Sequence, residues 1–288
     1  MPFATPEFEA EWSPLVQRTI DGYHVRVMHH PPHSDAPVLL MAHGLEEVWQ
    51  VWLPMARYLM PEFRLLLVDF PWRAHNDYGW SETLPPSDWM AEVIRSLPIV
   101  PDAIVGHSFG SNTTLEFLAK PDAPLIKAAV LTSPFYRAAG SAITWDLFHG
   151  TVANFRQILS AGLRVRSGGK QIRPEIFEKM VDRLLDRVGP NGFVNLFRLF
   201  AHAPFIRTDR IITPTLVIGG AADPTSTTTG TRALAEALVD GRVELLDEFD
   251  HFCEVEQAEE VAALTAAHVR EHLFMPHHAL FDRPLAVA

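Results

Sequence analysis

The chain has 288 residues and a single cysteine, Cys253, so no disulfide bond can form within it and nothing points to an oxidising compartment. No apolar run approaches the roughly 20 residues that a membrane-spanning helix needs. The first ten residues contain neither the basic nor the apolar region of a signal peptide. From these absences we expect a cytoplasmic protein without a membrane partner.

Positive charge, which nucleic-acid phosphates need in the form of clustered Lys and Arg, is outweighed by negative charge. The 24 Lys and Arg stand against 35 Asp and Glu, which gives a net charge of −11, and we expect no nucleic-acid partner. The charge is divided unevenly. Residues 131–210 contain twelve Lys and Arg but six Asp and Glu, so this segment has a net charge of +6 and the remainder −17.

Hydrophobic residues make up 48% of the chain, enough for a large packed core. Continuous apolar runs, which are typical of parallel strands buried on both faces, alternate with helical stretches. The runs span residues 38–42, 64–69, 103–106, 128–132, 215–219 and 243–247. Residues 15–20 and 23–28 alternate apolar and polar side chains and predict an antiparallel edge hairpin. We therefore expect an α/β fold with a mostly parallel eight-stranded sheet flanked by helices.

Helices are predicted between these strands, over residues 47–59, 89–97, 111–119, 231–238 and 255–273. Residues 135–207 contain no good strand and predict three or four amphipathic helices, with boundaries at Pro174 and Pro190. A helical block between strands 6 and 7 indicates a cap, or lid. The expected domains are therefore a core formed by residues 1–134 and 208–288 and a cap formed by residues 135–207. The tail, residues 276–288, has few anchoring features.

The motif Gly106-His-Ser-Phe-Gly110 follows a predicted strand and precedes a predicted helix. This G-x-S-x-G pattern in strand–turn–helix context is typical of a nucleophile elbow, in which the glycines allow a tight turn and the serine lies exposed at its apex. Ser108 is therefore the candidate nucleophile. The alternative is an ordinary glycine-rich turn between a strand and a helix.

A serine needs a histidine to take its proton and a carboxylate to orient that histidine. Asp223 and His251 each lie just past a predicted strand, at the sheet edge where parallel α/β folds bind ligands. Asp250 is a rival acid, but it directly precedes His251, which makes the required geometry difficult. Alternatively, Asp223 caps the turn before Pro224.

The oxyanion needs two backbone donors. One is the N–H of Phe109, directly after the nucleophile. The other is expected from the loop after residues 38–42, where Gly44 allows a sharp path and Leu45 N–H is the second donor. His43 would then hold this loop by hydrogen bonds.

No metal or cofactor is expected, because the sequence has no phosphate-binding glycine loop and no His/Cys cluster. His268 and His272, one helical turn apart, could bind a metal but lack a nearby third ligand, and we expect them at the surface. Cys253, two residues after His251, is expected to be a packing residue.

In order and spacing, His43-Gly44, the elbow around Ser108, Asp223 and His251 resemble the α/β-hydrolase superfamily, in its serine-nucleophile branch with a helical cap. The resemblance covers residues 15–273. It implies that Ser108 is the nucleophile, His251 the base and Asp223 its orienting acid. It also implies an oxyanion hole made by Leu45 and Phe109.

Two features depart from that family. The loop from Asp69 to Ser81 is longer and more aromatic than the family's usual loop, and Glu46 and Glu47 stand beside the oxyanion loop. The two acids are expected to begin a helix, whose N-terminus favours negative charge. The alternative is that one of them contacts a substrate hydroxyl or amine.

The substrate pocket is expected to be mainly apolar, with a few polar anchors. The candidate lining residues are His43, Glu46, Trp49, Trp72, His107, Trp145 and Phe252. The arginines of the helical segment are expected to pair with Asp182, Asp186 and the acidic core, although they could instead receive an anionic substrate or an acidic carrier.

The function expected from these features is hydrolysis of a carboxylic ester or thioester of a small to medium, partly apolar molecule through an acyl-enzyme. A C–C bond hydrolase, or an acyltransferase or cyclase of secondary metabolism, would use the same residues. A non-catalytic binding protein is a third alternative. The partner in each case is a small molecule, which in one alternative is anionic or tethered to a carrier.

Overall fold

The computed structural model describes residues 3–31, 35–168 and 170–273. These residues form one eight-stranded sheet in the order β1-β2-β4-β3-β5-β6-β7-β8. The strands are β1 (Ser13–Ile20), β2 (Tyr23–His29), β3 (Val38–Ala42), β4 (Arg64–Asp69), β5 (Ala103–His107), β6 (Ala128–Thr132), β7 (Thr215–Gly220) and β8 (Gly241–Leu246). The α-helices are α1 (Pro6–Ala10), α2 (Leu53–Leu59), α3 (Pro86–Ser96), α4 (Phe109–Leu118), α5 (Trp145–Arg166), α6 (Pro174–His202), α7 (Thr228–Ala237), α8 (Cys253–Glu256) and α9 (Ala258–Leu273).

Strands β3 to β8 run parallel to one another, and β2 pairs antiparallel with both β1 and β4. The predicted α/β fold with a mostly parallel eight-stranded sheet is therefore confirmed. The predicted edge hairpin is β1–β2. Its turn residues Asp21 and Gly22 both have positive φ, 47° and 87°, as a two-residue turn of this twist requires.

The continuous apolar runs reflect helices on both faces of the sheet. Successive side chains of a strand point to opposite faces. In β3, Leu39 and Met41 pack on the side of α2 and α9, whereas Leu40 and Ala42 pack on the side of α3, α4 and α7. All four side chains are fully buried, so neither face of this strand has a polar position.

Between β6 and β7 the chain forms α5 and α6, which pack against each other, and α6 also contacts α4. Helix α6 begins at Pro174, as predicted. It is kinked at Gly189 (φ 59°, ψ −173°), directly before Pro190, whose ring prevents a regular helix. In its described part the segment thus has three α-helical stretches, α5 and the two parts of α6, followed by a short 3₁₀ helix at Ala203–Phe205. No helix in the described ranges is long and apolar enough to cross a membrane.

Two local predictions are wrong. Glu46 and Glu47 do not begin a helix, because the chain first forms a 3₁₀ turn at Trp49–Trp52 and α2 starts only at Leu53. His268 and His272 are not at the surface. They lie on the inner side of α9 with ring centroids 4.7 Å apart, and His268 Nε2–H donates to the Pro214 carbonyl. The tail at residues 276–288 lies outside the described residues.

Candidate active site

Ser108 occupies a sharp turn between β5 and α4. Its backbone angles, φ 49° and ψ −114°, are unusual for a residue with a side chain, and its N–H donates to the Thr132 carbonyl. A Cβ at Gly106 would lie 2.8 Å from the Ser111 backbone, and one at Gly110 would lie 2.1 Å from the Ala42 carbonyl oxygen. Both flanking glycines are thus required because the turn is packed against backbone.

The structure brings Ser108, His251 and Asp223 into one chain of hydrogen bonds. The Ser108 hydroxyl donates to His251 Nε2 (2.9 Å), and His251 Nδ1–H donates to Asp223 Oδ2 (2.8 Å). All three side chains are buried. Asp250 instead accepts the N–H of Phe252. The geometry allows His251 to take the proton of Ser108 while Asp223 fixes its tautomer.

Asp223 is held as a carboxylate. Burial alone would raise its pKa, but His251 and the N–H groups of Ser226 and Thr225 lower that pKa below its ordinary value. A fixed negative charge beside His251 favours the imidazolium that forms when the ring accepts a proton.

The loop after β3 leaves one amide available beside Ser108. Gly44 N–H donates to the Glu47 carboxylate, Glu46 N–H to the Trp72 carbonyl and Glu47 N–H to the Gly44 carbonyl. Among the described residues no group accepts from Leu45 N–H, and Leu45 lines the same cavity as Ser108. Phe109 N–H belongs to the first turn of α4, where amides have no partner within the helix.

A narrow cavity lies over Ser108 and is covered by one face of α5. Its lining residues are Leu45, Glu46, Glu47, Ser108, Phe155, Ile158, Leu159, Gly162, Arg166, Leu196, His251 and Phe252. Of the seven residues that the sequence suggested for the pocket, Glu46 and Phe252 line this cavity.

The other five suggested residues do not line the cavity, and each has a structural reason. His43 holds the loop, because its Nδ1–H donates to the Gly44 carbonyl and its Nε2 accepts the Phe70 N–H. Trp72 stacks on Phe70 with ring centroids 4.3 Å apart. Trp49 packs against Trp12. Trp145 begins α5 and is 75% exposed.

The fifth, His107, is fully buried beneath the site between two acids. Its Nδ1 lies 2.8 Å from the Glu47 carboxylate, its Nε2 lies 3.4 Å from the Glu254 carboxylate, and Nε2–H donates to the His251 carbonyl (2.7 Å). Among the described residues these three side chains form the group whose ligand atoms could share a metal ion. The sequence offered no sign of this group, because its members are far apart along the chain.

The three buried side chains of this group shift one another's pKa. Burial would lower the pKa of His107, but Glu254 and Glu47 raise it to about 10, so the ring is an imidazolium at pH 7. Burial raises the pKa of Glu254 to about 8, against the opposing effect of His107. His107 therefore ties the loop after β3 to the loop that carries His251.

Glu46 forms a second buried ion pair, this time with the helical segment. It has a positive φ of 63° and is 2% exposed. Its carboxylate accepts from Arg187 of α6 (2.5 and 3.0 Å) and from the Tyr78 hydroxyl (2.9 Å), and its carbonyl accepts from Arg166 of α5. Tyr78 belongs to the long aromatic loop after β4, which thereby supports the same loop.

Comparisons with known proteins agree with this architecture. A family model described as "Alpha/beta hydrolase family" matches residues 39–264. The (E)-2-((N-methylformamido)methylene)succinate hydrolase of Acinetobacter baylyi is 24% identical over an alignment of 259 residues that covers 86% of this chain and 95% of that protein.

Solved structures with low sequence identity share the fold. The enol-lactonase of Burkholderia xenovorans LB400 matches with a TM-score of 0.63 at 17% identity, over 88% of this chain and 100% of that one. The meta-cleavage product hydrolase of Pseudomonas fluorescens IP01 matches with a TM-score of 0.65 at 16% identity, over 89% of this chain and 97% of that one.

Proposed function

Since this chain belongs to the alpha/beta hydrolase family, we propose that it is a serine hydrolase that cleaves a carboxylic ester or thioester of a small molecule. The observation that carries the proposal is the hydrogen-bonded chain from Ser108 through His251 to Asp223. The Acinetobacter relative is named as a hydrolase of a substituted succinate, which supports a small-molecule substrate.

In the first half of the reaction, Ser108 Oγ attacks the substrate carbonyl while His251 Nε2 accepts the hydroxyl proton. Asp223 stabilises the resulting imidazolium. The N–H groups of Leu45 and Phe109 donate to the oxyanion of the tetrahedral intermediate. The intermediate then expels the alcohol or thiol, which takes the proton from His251, and an acyl-enzyme ester remains on Ser108.

In the second half, water attacks the acyl carbonyl and gives its proton to His251. The second tetrahedral intermediate uses the same two backbone donors. Its collapse releases the acid and returns the proton to Ser108 Oγ, so the enzyme is regenerated with one water consumed for each bond cleaved.

We further assign the segment at residues 135–207 as a cap over a core formed by residues 1–134 and 208–288. Phe155 and Leu159 of α5 and Leu196 of α6 line the cavity over Ser108, so this segment would determine which substrates enter.

The test is turnover of p-nitrophenyl esters of short and medium acids, together with labelling by a fluorophosphonate. Ser108→Ala is expected to lower kcat by about 10³-fold or more and to abolish labelling. The matched control is Cys253→Ala, which removes the single thiol of the chain, two residues after His251, and is expected to retain both turnover and labelling. Undiminished turnover in Ser108→Ala would refute the proposal.

A C–C bond hydrolase remains the second candidate, because the similar Pseudomonas structure is a meta-cleavage product hydrolase. Substrate preference distinguishes the two candidates. A C–C hydrolase would cleave vinylogous diketones with a kcat/KM well above that for any ester, whereas the proposed esterase or thioesterase should have the higher kcat/KM for esters.

A further inference from the structure

The cavity over Ser108 has an apolar end and a cationic end. Its α5 face consists of Phe155, Ile158, Leu159, Gly162 and Arg166, which follow the three- and four-residue spacing of one helix face. Every member except the last is apolar. Gly162 lies against the ring of Phe252, since a Cβ there would be 3.2 Å from it, and one turn later the same face presents a guanidinium.

Arg166 is a partly buried cation whose charge is only partly balanced. Its side chain is 17% exposed, and burial lowers its pKa below the ordinary value of an arginine. It donates to the Glu46 carbonyl, whereas its nitrogen is 3.9 Å from the Glu46 carboxylate. That carboxylate is already engaged by Arg187 and Tyr78 at 3.0 Å or less.

Glu47, the other acid of the lining, raises the pKa of Arg166 through its charge but forms no hydrogen bond or ion pair with it among the described residues. Glu47 is paired with the imidazolium of His107 and bonded to Gly44 N–H. The single carboxylate of Glu46 faces the guanidinium groups of Arg166 and Arg187, so these three side chains together have one excess positive charge. A partly desolvated guanidinium of this kind favours a carboxylate or a phosphate, which it can bind through two parallel hydrogen bonds.

Arg166 also stands between the cavity and the outside. It lines two open surface clefts, one shared with Glu9 and His75 and the other with Arg183 and Arg187, so the second cleft is the one whose charges favour an anion. A charged group bound by Arg166 can therefore keep contact with solvent while the rest of the substrate fills the apolar end.

We propose that Arg166 is an anion-binding residue of the substrate site, and that the physiological substrate is an ester or thioester with a carboxylate or a phosphate at one end. The ester or thioester bond in this proposal rests on the proposed function. The anion site itself rests on the shape and the charges of the cavity. Arg166 would thereby determine specificity without acting on the reacting atoms.

The hydrolysis test compares esters that differ by one charge. In the first pair, mono-p-nitrophenyl adipate has a terminal carboxylate on the acyl chain where p-nitrophenyl hexanoate has a methyl group. In the second pair the charge is on the leaving group: p-carboxyphenyl hexanoate has a carboxylate where p-tolyl hexanoate has a methyl group. In at least one pair the wild type is expected to prefer the charged ester. Arg166→Gln should lower the charged-to-neutral ratio of kcat/KM by about tenfold or more, because it removes a charge-assisted contact.

Arg164→Gln is the matched control, because it removes the same charge two residues away on α5, where the guanidinium lies over the Phe177 ring. It should leave the ratio unchanged, and Arg166→Lys should retain part of the preference. Turnover of the neutral ester by Arg166→Gln measures whether the substitution disturbs the loop that contains Glu46. The proposal would be overturned if Arg166→Gln left the charged-to-neutral ratio of kcat/KM unchanged in both pairs. It would also be overturned if Arg164→Gln lowered that ratio as much as Arg166→Gln does.

Binding separates this proposal from the catalytic one. Calorimetric titration of the Ser108→Ala variant with adipate and with adipamide should show preference for the dianion, and adding Arg166→Gln should remove that preference. If the fluorophosphonate fails to label the wild type while adipate binds through Arg166, the proposed function is wrong and the anion site stands. If labelling occurs but adipate is not preferred, the anion site is wrong.

Discussion

Arg187 of α6 holds Glu46, the residue after Leu45, through two hydrogen bonds across 141 positions of sequence. The helical segment is thereby fastened to the loop that presents a proposed oxyanion donor. Because Glu46 is buried with a positive φ, its position depends on this partner as well as on Tyr78. A change in α6 should therefore reach the reaction centre through this loop.

The first prediction concerns that contact. Arg187→Met should lower the free energy of unfolding by about 1–3 kcal/mol, because it leaves a buried carboxylate short of a partner. It should also reduce kcat for a neutral ester. Chemical denaturation and ester turnover measure the two effects. Arg183→Met, one turn earlier and exposed on the same helix, is the control. Equal effects of the two substitutions would contradict the coupling.

The second prediction concerns Asp223. Asp223→Asn should reduce kcat by about 10³-fold to 10⁴-fold, because an amide at this position favours the wrong tautomer of His251. KM for the same ester should change little, since Asp223 does not line the cavity over Ser108. Asp250→Asn is the control, because the Asn oxygen can still accept the Phe252 N–H. If Asp250→Asn proved the more damaging change, the assignment of the acid would be reversed.

The third prediction concerns pH. The folded pKa of Glu254, about 8, lies above its ordinary value of 4.5, so the stability it contributes at low pH is lost as pH rises through about 8. His107, raised from 6.5 to about 10, acts in the same direction over pH 6.5 to 10. Wild-type protein should therefore become less stable between pH 7 and pH 9.

Glu254→Gln removes one of these ionisations. Its unfolding free energy should fall less between pH 7 and pH 9 than that of the wild type, as measured by denaturant unfolding at both pH values. Glu259→Gln, at an exposed position on α9, should follow the wild-type curve. Parallel curves for Glu254→Gln and wild type would show that Glu254 does not titrate in this range.

The fourth prediction concerns the turn at Ser108. Gly110→Ala should destabilise the fold by about 3 kcal/mol or more, as overpacking against rigid structure does. The added Cβ would lie 2.1 Å from the Ala42 carbonyl oxygen. Gly150→Ala in α5, where a Cβ meets nothing within 4 Å, should be neutral or stabilising. Thermal unfolding of the two variants gives the comparison, and a stable Gly110→Ala protein would refute the packing argument.

The parts of this protein that the sequence predicts are those encoded locally. Continuous apolar runs identified the central strands, because a strand buried on both faces has no polar position, and the hairpin β1–β2 was recognisable by its alternation of apolar and polar residues. The turn at Ser108 was recognisable because a tight turn between strand and helix needs glycine on both sides. Asp223 and His251 could be paired with Ser108 in advance, since the carboxyl ends of parallel strands meet at one edge of the sheet.

The tertiary structure alone decided which charged and aromatic side chains meet. Nothing local distinguishes Arg187, which reaches Glu46, from Arg156, which pairs at the surface with Glu178 and Asp182. The burial of His107 between two acids and the exposure of Trp145 were equally hidden. The physical reason is that the partner of a side chain depends on how distant loops and helices pack together, whereas residue type fixes only the charge, size and polarity that each side chain brings.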